Sequence, residues 1–380
     1  MAPPTLTLLQ VVPELETGGA EQTTVDVARA VTGAGGRALV ASRGGRMAEA
    51  LEAAGGELIE LPVHSKRPWT MAANAVRLAR LIRAEGVDLV HARSRAPAFS
   101  ALAAARRAGV PFVATYHGVY NARTPLKRWY NGVMTRGDLV IANSEYTRDH
   151  LLREHAVDPA RVVVIQRGID LARFDPDAVS SERTAAVRAQ FGLAPFEGRP
   201  VFLLAGRLTR WKGQRLAVDA LAASGVDAVL VLAGDHQGRE DYLDELLGAS
   251  RDLGERVRVV GHCADMAAAY LACDVALAPS LEPEAFGRTA VEPQAMGRPV
   301  LAADHGATAE TVEDGVTGRR VRPGDVEAWA EAFRAAAAWT PAERDRMGEA
   351  GRARVRARFS VERMTAATLD AYARVLEGRR

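Results

Sequence analysis

Short runs of apolar residues alternate along the whole chain with longer stretches in which apolar positions recur every three or four residues. In the first half, the runs at 5–12, 38–42, 58–61, 89–91, 112–115, 139–142 and 162–165 read as strands. Helical periodicity lies between them, at 20–31, 70–84 and 96–107. Continuous apolar strands linked by crossover helices predict a parallel sheet covered on both faces. A polar, proline-bearing stretch from 170 to about 200 breaks the alternation and reads as a linker with a short helix. Strands then resume at 201–205, 229–233, 257–260, 275–279 and 300–302, and 361–376 reads as a last helix. The fold class expected is α/β, with Rossmann-like doubly wound parallel sheets over 1–175 and 176–360. The helix of 361–380 is expected to pack back on the first domain.

A length of 380 residues, 48% of them apolar, suits two such cores. The formal charge of +2 argues against a dedicated nucleic-acid binder, which carries a concentrated basic surplus. The charge is unevenly spread: residues 1–175 hold 22 Lys/Arg against 17 Asp/Glu, and 176–380 hold 27 against 30. Cys263 and Cys273 match no metal or redox spacing and read as reduced, buried thiols. No apolar run approaches a membrane span and no leader pattern opens the chain. The expectation is a cytoplasmic protein, soluble or resting on the inner face of the cytoplasmic membrane without crossing it.

Ligands of open parallel sheets bind at the carboxyl ends of the strands, so the loops there carry the candidate chemistry. The segment 281–292 follows a strand and opens a helix, with Glu284 before it and Glu292 inside it. Gly287 admits a ligand close to the backbone, and the first N–H groups, at Arg288 and Thr289, would face an anion such as a diphosphate. Carboxylates suit hydroxyl-rich ligands, although both glutamates could equally be solvated acids. After the strand 201–205, Gly206 leads a loop in which Arg207 and Lys212 could clamp a diphosphate, or simply be solvated. In the first half, Gly18 and Gly19 follow the first strand at the start of a helix, a place for phosphate or a mere turn. His117 ends the strand 112–115 and precedes Gly118, which suits either a ligand contact or a structural histidine.

Gly206-Arg207 with Lys212-Gly213, then Glu284 and Glu292 about Phe286-Gly287, resemble family 4 of the retaining glycosyltransferases. Ala278-Pro279-Ser280, the run 295–300, Glu310 and the run 314–318 extend that likeness over most of the second half. The resemblance implies the GT-B fold, two Rossmann-like domains facing a cleft, and transfer of a hexose-type sugar from a nucleotide-diphosphate sugar. By it, Arg207 and Lys212 bind the donor diphosphate, Glu284 holds hydroxyls of the transferred sugar, and Glu292 holds the ribose. The backbone of Phe286, Gly287, Arg288 and Thr289 supports sugar and phosphate, and 261–266 line the base pocket. Gly18 and Gly19 lie near donor phosphate and acceptor, and His117 lies near the reacting carbon. This chain departs from the family pattern at Gly306-Ala307, where two glycines are common, and at Arg167, where asparagine is usual.

The first half most resembles bacterial members that build lipopolysaccharide core, which implies a glycan or glycolipid acceptor in cell-envelope synthesis. The acid-free stretch 61–84 holds five basic residues, and with Lys127-Arg128-Trp129-Tyr130 it suggests an anionic glycolipid or membrane surface, or else a solvated crossover helix. No cofactor and no metal are expected; Asp175-Pro176-Asp177 has a metal-binding spacing but falls in the linker. Two other readings stand beside transfer: a nucleotide-sugar epimerase on the same fold, and a non-catalytic nucleotide-sugar-binding protein. A dinucleotide oxidoreductase is disfavoured, since no Gly-x-Gly-x-x-Gly follows the first strand.

Overall fold

The computed structural model describes residues 6–16, 18–120 and 122–378. The chain divides into two compact units: one runs to Gly168 and resumes at Val361, and the other is Ile169–Ser360.

Among the described residues the first unit holds seven parallel strands: β1 (Thr7–Val11), β2 (Arg37–Ser42), β3 (Glu57–Glu60), β4 (Leu89–Ala92), β5 (Phe112–Tyr116), β6 (Leu139–Ala142) and β7 (Val162–Val164). Their order is β3-β2-β1-β4-β5-β6-β7. β1 pairs with both β2 and β4, Leu9 facing Leu39 on one side and Val90 on the other. The chain therefore starts mid-sheet and winds outward both ways, which leaves a switch point at the carboxyl ends of β1 and β4. The strands are apolar on both faces because both faces are covered. The helices Pro68–Ala84 and Arg95–Ala108 pack one face. The helix Gly19–Gly33 lies on the other beside the final helix, Val361–Glu377, whose Met364, Ala371 and Tyr372 join that core.

The second unit has six parallel strands: β8 (Val201–Ala205), β9 (Val229–Ala233), β10 (Val257–Gly261), β11 (Val275–Ala278), β12 (Val300–Ala303) and β13 (Gly318–Val321). Their order, β10-β9-β8-β11-β12-β13, places β8 at the switch point. Trp329 and Phe333 of the helix Val326–Ala337 fill one face, Phe333 meeting Phe202 edge to face at 4.6 Å.

Two features differ from the sequence expectation. β13 was not anticipated: Gly-Arg-Arg-Val has no apolar run, and it forms a strand because β12 offers it a paired edge. The stretch 170–200 is no free linker, since Phe174, Val187, Phe191, Leu193 and Phe196 are buried in the core of the second unit. Asp175 caps the short turn Pro176–Ala178, and Arg352 reaches both Asp175 (3.5 Å) and Asp177 (3.1 Å), so this acidic pair is engaged by a cation of the chain itself. Cys263 and Cys273 are buried free thiols, and burial pushes Cys273 up to about 12. No helix of the described residues is long and apolar enough to cross a membrane.

Candidate functional site

In the second unit, the loops after β8, β11 and β12 meet. The loop after β8 turns through Arg210–Lys212 and enters the helix Gln214–Ser224 at Gly213. Gly213 has φ +76°, and a Cβ there would stand 2.1 Å from the Pro279 carbonyl oxygen, so only glycine lets this loop lie against the end of β11. That approach brings Lys212 to Glu284: Nζ donates to Oε1 at 2.7 Å. Ser280 Oγ donates to the same oxygen at 2.5 Å. The two charged side chains are only 13% and 10% exposed, so water screens them little. Among the described residues Glu284 Oε2 has no partner, and it can accept from a ligand hydroxyl.

The loop after β12 holds Glu284 from the other side. His305 Nε2 donates to the Ser280 carbonyl at 2.8 Å, and the Ala307 N–H donates to the Glu284 carbonyl at 2.9 Å. Ala307 has φ −73°, a conformation open to any residue, so alanine is held here without backbone strain.

Gly287 caps the helix Arg288–Ala295 with φ +80° and ψ +58°, in the left-handed region. Its side offers no capping group, so the first N–H groups of that helix, beginning at Arg288 and Thr289, have no intrahelical acceptor. Glu292 is one turn further on and buried, accepting from Tyr270 Oη at 3.1 Å and from Arg288 Nε at 2.8 Å. Burial first, and the Glu292 charge second, push Tyr270 well above the usual tyrosine range, so it remains a donor. Each Glu292 oxygen keeps a lone pair beyond these contacts. The Phe286 ring lies in the core against Phe359, so at this position only the backbone can face a ligand. Gly206 extends from the end of β8, its N–H on the Ala233 carbonyl, and the Arg207 side chain beside it is exposed.

The first unit has its own polar cluster at the carboxyl ends of β1, β4 and β5. Gly18 and Gly19 begin the helix Gly19–Gly33 with no side-chain cap. The Arg167 guanidinium lies over Gly19, where an added Cβ would be 2.3 Å from Nη1. Arg167 Nη2 also donates to His117 Nδ1 at 3.0 Å. An arginine can only donate, so Nδ1 accepts and the neutral ring carries its proton on Nε2. That Nε2 is buried with no partner among the described residues, a donor held ready for a ligand. Burial, then the charges of Arg167 and Arg93, hold His117 well below the usual histidine range.

Beneath it, Arg93 is buried with both contacts on Gln10 Oε1, at 2.9 and 2.5 Å. His91 is enclosed between Tyr372 Oη (2.5 Å) and Thr115 Oγ1 (2.7 Å). The sequence reading did not single out Tyr270, His305 or Tyr372. Arg167 was visible only as a departure from the family pattern.

The family description Glycosyltransferase Family 4 matches residues 17–173, and Glycosyl transferases group 1 matches 188–354. A relative from Xylanimonas cellulosilytica, called D-inositol 3-phosphate glycosyltransferase, is 33% identical over 316 residues, 78% of this chain and 74% of its own. A crystal structure of a glycosyltransferase from Rickettsia africae ESF-5 is similar with TM-score 0.90 at 31% identity, over 98% of this chain and 99% of that one. The structure of Anabaena Alr3699/HepE in complex with UDP and glucose is similar with TM-score 0.83 at 26% identity, over 97% and 99%.

Proposed function

The chain belongs to the family 4 and group 1 glycosyltransferases of the GT-B fold, and from that premise we propose that it moves a hexose from a UDP-sugar to a hydroxyl of a glycan or glycolipid, with retention at the anomeric carbon. The observation that carries this reading is the Ser280–Glu284–Lys212 group beside the uncapped helix start at Gly287. It offers a carboxylate oxygen for sugar hydroxyls next to cations and N–H groups for a diphosphate. HepE binds UDP, which supports uracil as the donor base here.

In the proposed reaction the bond between the anomeric carbon and the diphosphate oxygen breaks. The acceptor oxygen bonds to the same face, and its proton passes to the leaving diphosphate. Negative charge on the diphosphate is taken up by Lys212, Arg207 and the N–H groups of Arg288 and Thr289, fixed donors that need no reorganisation. Glu292 accepts from the ribose hydroxyls, and His117 Nε2 donates to the sugar. None of these roles draws on a metal, so we propose metal-independent transfer; activity is expected to survive EDTA, and loss restored by a divalent cation would overturn this part.

The acceptor proposed is an envelope glycolipid, such as a lipopolysaccharide core precursor. Supporting it, the helix Pro68–Ala84 exposes Trp69, Val76, Arg80 and Arg83 along one side, an apolar and basic stripe suited to an anionic membrane surface. A second acceptor reading, a soluble phosphorylated polyol, is favoured by the name of the Xylanimonas relative. Product analysis with inositol phosphate and with a lipid-linked glycan separates the two, and NMR of the product reads the anomeric configuration.

The first test is a thermal-shift panel of UDP, GDP and ADP and their sugars on the wild type and on Glu292→Ala. A ligand that binds only the native state raises Tm. A shift selective for UDP and lost in the variant is expected; no shift with any nucleotide would sink the donor reading.

A further inference from the structure

The first unit carries a cavity of about 630 Å³ that the transfer reaction does not use. It is lined by Arg106, Arg128, Arg136 and Arg161 with Trp129, and Glu154 is the carboxylate among its lining residues. Arg161 directly precedes β7, Arg136 lies just before β6, and Arg106 is in the last turn of the helix leading to β5. The cavity is therefore at the amino ends of these strands, the opposite edge of the sheet from His117 and Gly19.

Little inside the protein answers this charge. Arg128 reaches Glu154 only at 3.8 Å. Arg106 has a 3.5 Å contact to the Arg136 carbonyl, and Arg136 lies 5.6 Å from the centre of the Trp129 ring. Arg161 donates to the carbonyls of Thr135 and Gly137, and its Nε is buried without a partner. Four guanidinium groups lining one cavity with a single carboxylate favour a bound anion, and their paired N–H groups fit phosphate oxygens. The rim explains which phosphate. On the short helix Pro125–Asn131, Leu126 is 74% exposed and Trp129 is 54% exposed, flanking exposed Lys127 and Arg128. A free anion would leave these apolar side chains in water, whereas a bilayer interface receives tryptophan and leucine and presents phosphate beside them.

We propose that this cavity binds the phosphate of an anionic phospholipid headgroup, with Leu126 and Trp129 entering the interface, and so docks the first unit on a membrane. This deepens the membrane-surface reading above and rests on it, but on none of the donor-site residues.

The test is co-sedimentation of the full chain, without sugar donor, with vesicles of phosphatidylcholine alone or mixed with phosphatidylglycerol. Binding to the mixed vesicles only is expected. Arg128→Gln with Arg136→Gln should weaken it by roughly 30-fold, the factor carried by two cations near an anionic surface. Trp129→Ala should weaken it further. Circular dichroism and the UDP thermal shift, both expected unchanged, show that fold and donor site persist. Should the double variant misfold, the exposed Arg106→Gln serves in its place. No binding to the mixed vesicles at low salt overturns the proposal, as does wild-type binding by a folded variant. A thermal shift with millimolar inorganic phosphate but no vesicle binding would leave a soluble-anion site and also overturn it. Failure here with an intact UDP shift leaves the donor reading standing; loss of the UDP shift with vesicle binding intact does the reverse.

Discussion

Lys212 and Glu284 were each visible in the sequence as a charge in a loop, and each could have been a solvated surface residue. Their 2.7 Å contact and near enclosure decide otherwise. A pair this sheltered is costly to break from one side, because the remaining charge keeps its desolvation penalty. Lys212→Ala is expected to lower kcat by about 100-fold or more, the usual loss when one fixed donor to a developing anion is removed. A steady-state assay of sugar transfer checks it, and a variant within a few-fold of wild type would remove Lys212 from the catalytic group. Tyr270→Phe takes one donor from Glu292 while leaving the ring volume, so it should weaken UDP binding with the fold retained; calorimetric titration reads this directly. Arg167 teaches the converse lesson. As a departure from a family pattern it promised nothing, yet it lies over Gly19 and fixes the His117 tautomer.

The elements that carry these residues end where the backbone requires it. Gly287 opens the helix Arg288–Ala295 at φ +80°, and a Cβ there would stand 2.9 Å from Thr308 Cγ2. Gly287→Ala is therefore expected to cost about 1–3 kcal/mol from backbone strain, read as a lower urea midpoint, and to lower activity through the displaced N–H groups. A capping box, by contrast, is remote from any candidate site: Thr340 and Glu343 bond reciprocally at the start of the helix Pro341–Arg358. Thr340→Ala should cost about 1 kcal/mol and leave kcat unchanged, a pairing of measurements that separates stability from chemistry. At this scale the sequence was most legible where local pattern suffices. The strands at 139–142, 201–205 and 229–233 were read to the residue because polar residues, proline or glycine stand at or next to both ends of each apolar run.

For the molecule as a whole, pH is a sensitive probe of the buried polar cluster in the first unit. Burial is the leading cause holding both His91 and His117 well below their ordinary 6.5. In the unfolded chain these rings take up protons near pH 6.5, while the native state excludes them until lower pH. The unfolded state then binds more protons, so stability is complete above about pH 6.5 and drains away as pH falls toward the folded-state values. Tm is expected to decline between pH 7.5 and 5.5, before ordinary carboxylates protonate, and His91→Gln should flatten that decline. A wild-type Tm constant across the window would mean that the two imidazoles are not held neutral by the fold.

By itself, the sequence determined two parallel α/β sheets, the loops that bear candidate chemistry, and the residue types in them. These follow from apolar periodicity, glycines and spacing, which are local properties of the chain. Tertiary structure decided what depends on distant partners. β13 exists because β12 leaves an edge to pair, although its own residues carry no strand signal. The stretch 170–200 became core because Phe174, Phe191 and Phe196 found an apolar face to cover. His91 became a neutral, enclosed ring because Tyr372, from the far end of the chain, closes over it. Contacts between residues remote in sequence leave no periodic mark, so only the packed fold could reveal them.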